Sequence, residues 1–258
     1  MNAPLPHAPA DVTADDHRLA AWLATVAGAR LEEVREQGLE GRELKDAGDR
    51  SSHELLMELL DVHRPHDAVL SEEGKDDPVR LTSKRVWIID PLDGTREFSE
   101  PPRDDWAVHV ALWQDGELTA GAVAQPGLAT TFGTGQPPAV PPSTSDRPRI
   151  AVSRTRPPAF VTDLAERLGA ELVPMGSAGA KVLSVVRDVT DAYVHAGGQY
   201  EWDSAAPVAV ARAAGLFTSR IDGTQLVYNR PDPLLPDLIV CRPELAEQIL
   251  AFTRGLEV

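Results

Sequence analysis

Four apolar residues, Val86 to Ile89, run directly into an acid, a proline, a leucine and a second acid in the stretch VWIIDPLDGTREF. A run this short and this apolar reads as a strand buried in the core. Its end must then turn sharply while keeping Asp90 and Asp93 close to the interior. Buried carboxylates are costly unless something compensates them. Any fold for this chain therefore has to explain why two acids sit three residues apart on a tight turn at the end of a core strand.

Around this strand the pattern is mixed α and β. Leu19, Leu23, Val26, Leu31 and Val34 recur at helical spacing, and DRSSHELLMELLDVHR predicts a second helix with Ser51 or Ser52 near its cap. DAVLSEEG reads as a short strand ending in acids. WAVHVALW and LTAGAVAQ read as a hairpin turning at Asp115-Gly116. After the Pro-, Ser- and Gly-rich stretch GTGQPPAVPPSTSDRP, strands RIAVS, AELVPMG and DAYVHA alternate with two helical segments, which suggests β-α-β units. The tail predicts an Ala-rich helix opened by Asp203 with Pro207 in its first turn, a hairpin at Asp222-Gly223, a strand DLIVCR and a last helix from Pro243. The expected organisation is a disordered leader at 1–13, an N-terminal α+β half at 14–135, a linker loop at 136–148 and a C-terminal α/β half at 149–258.

Composition narrows the function. With 40 acidic and 25 basic residues the formal charge is −15, which opposes binding to nucleic-acid backbones. The one cysteine, Cys241, allows no intrachain disulfide and no cysteine-based zinc site. The start has neither a cationic nor an apolar signal segment, and no run approaches the ~20 apolar residues of a membrane span. These features predict a soluble cytoplasmic protein. GTGQPP is no dinucleotide loop, because Pro137-Pro138 forbid the helix that must follow. GSAG at Gly176 lacks the spacing of a nucleophile elbow. DPLDG is no EF-hand, since Ile89 and Pro91 would fall at ligand positions. His109, inside a strand, reads as a structural residue.

Two readings of the opening stretch stay open on the residues alone. Asp90 and Asp93 can cap turns, or they can hold a hard divalent cation, which favours a few carboxylates. In the second reading Gly94 lets backbone approach a ligand, and the N–H groups of Gly94 and Thr95 form an anion nest beside the metal, which makes a phosphate site. Glu72 and Glu73 at the end of their strand, and Asp203 at a helix start, are either solvated or capping acids or further ligands.

Taken together, SEEG, DPLDGT and WDSAAP, in this order, resemble the inositol monophosphatase superfamily. GTREF and the GSAGAK that contains Lys181 resemble its CysQ branch, the 3′-phosphoadenosine 5′-phosphate phosphatases, in an actinobacterial form. The resemblance implies a layered α-β-α-β-α sandwich and Mg2+-dependent, lithium-sensitive hydrolysis of a small phosphomonoester in sulfur assimilation, often by a homodimer. It implies that Glu72, Asp90 and the Leu92 carbonyl hold one Mg2+, and that Asp90, Asp93 and Asp203 hold a second. Thr95 and Asp49 orient the attacking water, with a third, weaker ion. Leu92, Asp93, Gly94 and Thr95 meet the phosphate, while Ser177 and Lys181 meet the rest of the substrate. Inositol monophosphatases carry a substrate-binding Glu seven residues before the WD aspartate. Ala196 stands there in this chain, which points away from inositol phosphates. The competing expectations are an inositol-phosphate or fructose-1,6-bisphosphate phosphatase and, in another class, a non-catalytic magnesium-binding regulator.

Overall fold

A computed structural model describes residues 5–256. Among them, two five-stranded sheets are separated and covered by helices, giving the α-β-α-β-α order of layers. Helices α1 (Ala10–Thr13), α2 (Asp16–Arg35) and α3 (Gly41–His63) come first. The first sheet follows, with β1 (Ala68–Ser71), β2 (Arg85–Asp93), the short helix α4 (Thr95–Phe98), β3 (Ala107–Gln114), β4 (Glu117–Gln125) and β5 (Thr130–Gly133), in spatial order β1-β2-β3-β4-β5. β1 and β2 are parallel and the remaining pairs antiparallel. The second sheet interleaves β6 (Arg149–Ser153), α5 (Ala159–Leu168), β7 (Glu171–Met175), α6 (Ala178–Val186), β8 (Ala192–Ala196), α7 (Glu201–Ala213), β9 (Phe217–Ser219), β10 (Asp237–Cys241) and α8 (Pro243–Thr253). Its order is β7-β6-β8-β10-β9, with β6 parallel to both neighbours, as the β-α-β pattern requires.

β2 shows why both of its faces had to be apolar. Trp87 and Ile89 face the core shared with α2 and α3, whereas Val86 and Ile88 face the core shared with α6, α7 and the second sheet. α5 and α8 cover the far face of that second sheet. The middle layer is thin because α7 is built of small residues. A Cβ on Gly121 of β4 would lie 2.8 Å from the Cβ of Ala209.

Several expectations change. The second helix begins at Gly41, ten residues before Ser51, so that Asp49 and Ser52 lie inside it. Gly48 and Ser52 occupy its buried face and so interrupt the apolar stripe in sequence. Gly48 lies against Leu92 and Phe98, and the Ser52 hydroxyl donates to the Pro91 carbonyl at 2.6 Å. Of the leader expected to lack structure, residues 1–4 lie outside the described residues. Ala10–Thr13 form a helical turn, with Val12 packed on the first core. Pro207 lies within α7 and not in its first turn. No hairpin forms at Asp222-Gly223. The turn itself exists, with Asp222 accepting from the Thr224 N–H at 2.7 Å. The chain beyond it carries Pro231, Pro233 and Pro236, which lack the N–H a ladder needs, and β9 pairs with β10 instead. The hairpin at Asp115-Gly116 forms with both turn residues at positive φ, 49° and 102°.

Residues 137–148 have no regular structure but are tied to the second sheet. Asp188 and Asp191 hold Arg149 and Arg242, with Arg149 Nη2 2.6 Å from Asp188 and Arg242 Nε 2.9 Å from Asp191. Arg242 donates to the Pro141 carbonyl, Ser143 to Asp191 and Thr144 to Asp188, each at 2.8–2.9 Å. Among the described residues no helix is long and apolar enough to cross a membrane.

Candidate active site

The end of β2 is locked before the chain turns. Asp90 lies opposite His109 in the β2–β3 ladder, the register breaks between Asp90 and Asp93, and Asp90 Oδ1 accepts from the Leu92 N–H at 3.0 Å. Gly94 then adopts φ 85°, so that α4 starts at Thr95. A side chain there would be strained, and its Cβ would sit 3.0 Å from that of Ser177. Thr95 Oγ1 faces two acceptors, the Leu92 carbonyl at 3.2 Å and Asp49 Oδ1 at 3.4 Å. The long α3 thus delivers Asp49 to the turn, and Ser52, three residues further along that helix, holds the turn from below.

Asp93 reaches across to the second half of the chain. Its carboxylate accepts from the Ser177 hydroxyl at 2.5 Å, from the Ala178 N–H at 3.1 Å and from the Gly179 N–H at 2.6 Å, at the start of α6. Asp203 stands in the first turn of α7, where one oxygen accepts from the Tyr200 N–H at 2.6 Å. It therefore caps the helix from inside rather than opening it. Oxygens of Asp90, Asp93 and Asp203 lie within 4.8 Å of one another. No lysine or arginine pairs with these three among the described residues.

The electrostatics of such a cluster follow from its packing. Burial, reinforced by Glu72, Asp93 and Asp203, raises the Asp90 pKa well above the usual carboxylate value. Burial and the charge of Asp93 push Asp203 to about 7. Desolvation also raises Glu72 to about 7, with Asp93, Glu73 and Asp49 adding repulsion, although hydrogen bonding to Asp90 works the other way. Asp49 rises to about 7 through desolvation and the charge of Glu73. Asp93 alone goes down, to about 2. Burial would raise it, but His109 and the donors of Ser177 and Gly179 outweigh that. The pKa of His109 is raised in turn, since the attraction of Asp93 exceeds the cost of burial. Acids that repel one another, two of them buried, offering only oxygen donors and paired with no lysine or arginine, fit a hard divalent cation.

The acid cluster opens into a cavity of about 290 Å³ whose walls include Arg96, Arg154, Arg156 and Lys181. Arg154 bridges Glu97, at 2.6 Å, and Glu100, at 3.0 Å. Gly176 packs so closely on Glu97 that a Cβ would lie 2.3 Å from its Cγ. Ser177, expected to give a donor to the substrate, spends its hydroxyl on Asp93 and accepts from the Ala180 N–H at 2.9 Å. The Lys181 ammonium is buried. It donates to the Gly176 and Ser177 carbonyls, the latter at 2.8 Å, and lies 5.3 Å from the Tyr193 ring centre. Burial lowers its pKa. Arg154 and His109 were not expected in the site. The partners that define them, Glu97 and Asp93, come from other parts of the chain. For His109 no local signal existed, since its place opposite Asp90 is set by the β2–β3 register.

The model of the inositol monophosphatase family matches residues 9–255. A 3′-phosphoadenosine 5′-phosphate phosphatase of Mycobacterium leprae is 51% identical over 93% of this chain and 93% of its own length. The protein of that name from Mycobacterium tuberculosis is 53% identical over 80% of each chain. The crystal structure of inositol monophosphatase II from Staphylococcus aureus superposes with a TM-score of 0.78 at 21% identity, covering 92% of both chains. CysQ from Bacteroides thetaiotaomicron superposes with a TM-score of 0.72 at 27% identity, over 87% of this chain and 96% of that one. The chain belongs to the inositol monophosphatase family, a family of metal-dependent phosphatases.

Proposed function

We propose that this protein hydrolyses 3′-phosphoadenosine 5′-phosphate to AMP and inorganic phosphate in a Mg2+-dependent reaction. The observation that carries this reading is the juxtaposition of the acid cluster with a wall of four cationic side chains around one cavity. A substrate with two phosphates uses both regions. The phosphate to be cleaved lies over the acids, and the other lies against the cations. The names of the mycobacterial relatives, at 51–53% identity, support the same substrate.

In this reading Glu72, Asp90, Asp93, Asp203 and the Leu92 carbonyl would hold Mg2+, which would supply positive charge to offset that of the phosphoryl group. The chain's own groups do the positioning. Thr95, between Asp49 and the Leu92 carbonyl, aims a water at phosphorus on the side opposite the 3′ oxygen. Asp49, raised above the ordinary carboxylate range by desolvation and the charge of Glu73, takes the proton of that water as the new P–O bond forms. The P–O3′ bond breaks and the 3′ oxygen takes a proton from solvent to become the hydroxyl of AMP. Gly94 and Thr95 present backbone N–H groups to the phosphate. Arg96, Arg154 and Arg156 line the cavity to answer the 5′-phosphate, Arg154 while bridging Glu97 and Glu100. Lys181 joins them by exchanging its bonds to the Gly176 and Ser177 carbonyls for the phosphate. Ala196 at the end of β8 supplies no carboxylate to bind an inositol hydroxyl.

The test is a phosphate-release panel over 3′-phosphoadenosine 5′-phosphate, its 5′-phosphosulfate analogue, inositol 1-phosphate and fructose 1,6-bisphosphate, with Mg2+ and with chelator. The expected result is the highest kcat/KM for the adenosine bisphosphate and no turnover under chelation. A higher kcat/KM for inositol 1-phosphate overturns the assignment. Lys181→Ala is expected to raise KM for the bisphosphate more than for a monophosphate, and an equal effect on both removes Lys181 from the second-phosphate site.

A further inference from the structure

The histidine that the acid cluster encloses has no part in the reaction outlined above, yet it touches two of the segments that form the cluster. His109 is fully buried on β3. Its Nδ1 lies 3.0 Å from the carbonyl of Trp202, the residue before Asp203. A carbonyl only accepts, so Nδ1 carries a proton and donates. Its Nε2 lies 3.1 Å from Asp93 Oδ2, in contact but out of line for a hydrogen bond, and its Nδ1 lies 3.9 Å from Asp90 Oδ2. One rigid ring therefore spans the turn that carries Asp93 and the first turn of α7 that carries Asp203.

We propose that His109 is a positioning residue that fixes the separation of Asp93 and Asp203 and thereby pre-forms the metal site. The inference rests on the metal-site reading above. Mutually repelling carboxylates on separate elements drift apart unless something holds them. The donors at the start of α6 hold Asp93 and the Tyr200 N–H holds Asp203, each within its own segment; the ring, anchored in the sheet beneath both, ties the two segments to each other. Gly179 provides the second observation. A Cβ at this position would lie 2.1 Å from His109 Nε2 and 3.2 Å from Asp93 Oδ2, so the first turn of α6 leaves room for the imidazole only because residue 179 has no side chain. Partners that orient metal ligands typically contribute about 10- to 100-fold in metal affinity.

The test is calorimetric titration of the full-length protein with Mg2+ alone, without substrate, with melting in chelator to confirm that each variant folds. His109→Leu keeps bulk and removes both nitrogens, and it is expected to weaken Mg2+ binding by about 10- to 100-fold. In His109→Asn the amide still donates to the Trp202 carbonyl, and part of that affinity returns. Gly179→Ala, which keeps every ligand and the N–H to Asp93, weakens binding in the wild-type background by pushing on the ring. In the His109→Asn background, where the shorter side chain leaves space, its cost largely disappears. A folded His109→Leu protein with wild-type affinity overturns the proposal, and so does a Gly179→Ala cost that is equal in both backgrounds. If His109→Leu does not fold, the Gly179–His109 cycle decides by itself. A wild-type protein that binds no Mg2+ overturns the metal reading underneath, a result separable from either of these.

Discussion

Two groups of aspartates among the described residues, Asp188 with Asp191 and Asp90 with Asp203, are built on opposite principles. Asp188 and Asp191 each face Arg149 and Arg242, and their pKa values are lowered by the hydrogen bonds and charges of those arginines against the cost of burial. Asp90 and Asp203 face only other acids and a histidine, and their pKa values rise. The first group is complete as folded and ties residues 141–144 to the second sheet. The second, in the proposed reading, is completed by a cation from outside. The same residue type at similar depth therefore staples the chain in one place and waits for a ligand in the other.

The largest effect that separates the two groups is expected from Asp90→Asn, which removes a charge from the centre of the acid cluster. Activity should fall beyond the ~10⁴-fold that marks the upper range for a single acid–base residue, while the chelated protein melts no lower than wild type because a repulsion has gone. A steady-state assay at saturating Mg2+ with a parallel melt checks both halves, and a variant that retains activity removes Asp90 from the site.

Thr95→Ala and Asp49→Asn come next. Each is expected to lower kcat by about 10²- to 10⁴-fold, and the double variant should lose little more than the worse single one, because the two act through one hydrogen-bonded water. Multiplying losses would show that they act separately.

Asp191→Asn should do the reverse of Asp90→Asn. Leaving Arg149 and Arg242 buried beside a neutral partner costs about 3 kcal/mol of stability, measured by urea unfolding, with KM and Mg2+ affinity unchanged in the protein that remains folded. Activity lost in proportion to Asp90→Asn would erase the distinction.

The smallest effect concerns pH. In the metal-free protein Asp203, Glu72 and Asp49 have folded pKa values of about 7 against ordinary values of 3.8 to 4.5. Groups raised in this way contribute stability that is present below the ordinary value and lost as pH climbs through about 7. Asp188 and Asp191, being lowered, contribute stability above their ordinary value and lose it only in acid. Between pH 5.5 and pH 8 the chelated protein should therefore lose several degrees of melting temperature, and Mg2+ should restore more at pH 8 than at pH 5.5. Equal Mg2+ shifts at both values would mean that the raised acids are not where the cation binds.

What could be read before the structure was whatever sequence-local chemistry decides. The Asp115-Gly116 turn needs only its own two residues. The strand Val86–Ile89 is apolar at every position because it has a core on each side. Asp90, Asp93 and Asp203, which the fold brings together, each stand in a recognisable local motif. What escaped depends on contacts between distant segments. The first turns of α3 were hidden because Gly48 and Ser52 face the core at positions where an apolar residue would have continued the stripe. The hydroxyl of Ser177 is claimed by Asp93, 84 residues earlier, and nothing within GSAGAK announces that. His109 reads as an ordinary strand residue until the register sets it opposite Asp90 and the fold brings Trp202 above it.

The two helices of the middle layer both begin in the acid cluster, and each is capped by an acid that the proposed metal site also uses. Asp93 accepts from the N–H groups of Ala178 and Gly179 at the start of α6, and Asp203 accepts from that of Tyr200 at the start of α7. For these two residues selection on folding and selection on chemistry act on the same atoms. Glu72 and Asp49 cap nothing comparable, so in the proposed reaction only catalysis protects them. A descendant of this chain that abandoned its reaction would shed Glu72 and Asp49 first and keep Asp93 and Asp203 long afterwards. In such a lineage the surviving DG and WD pairs would record ancestry, and the state of positions 49 and 72 would tell whether the enzyme still works.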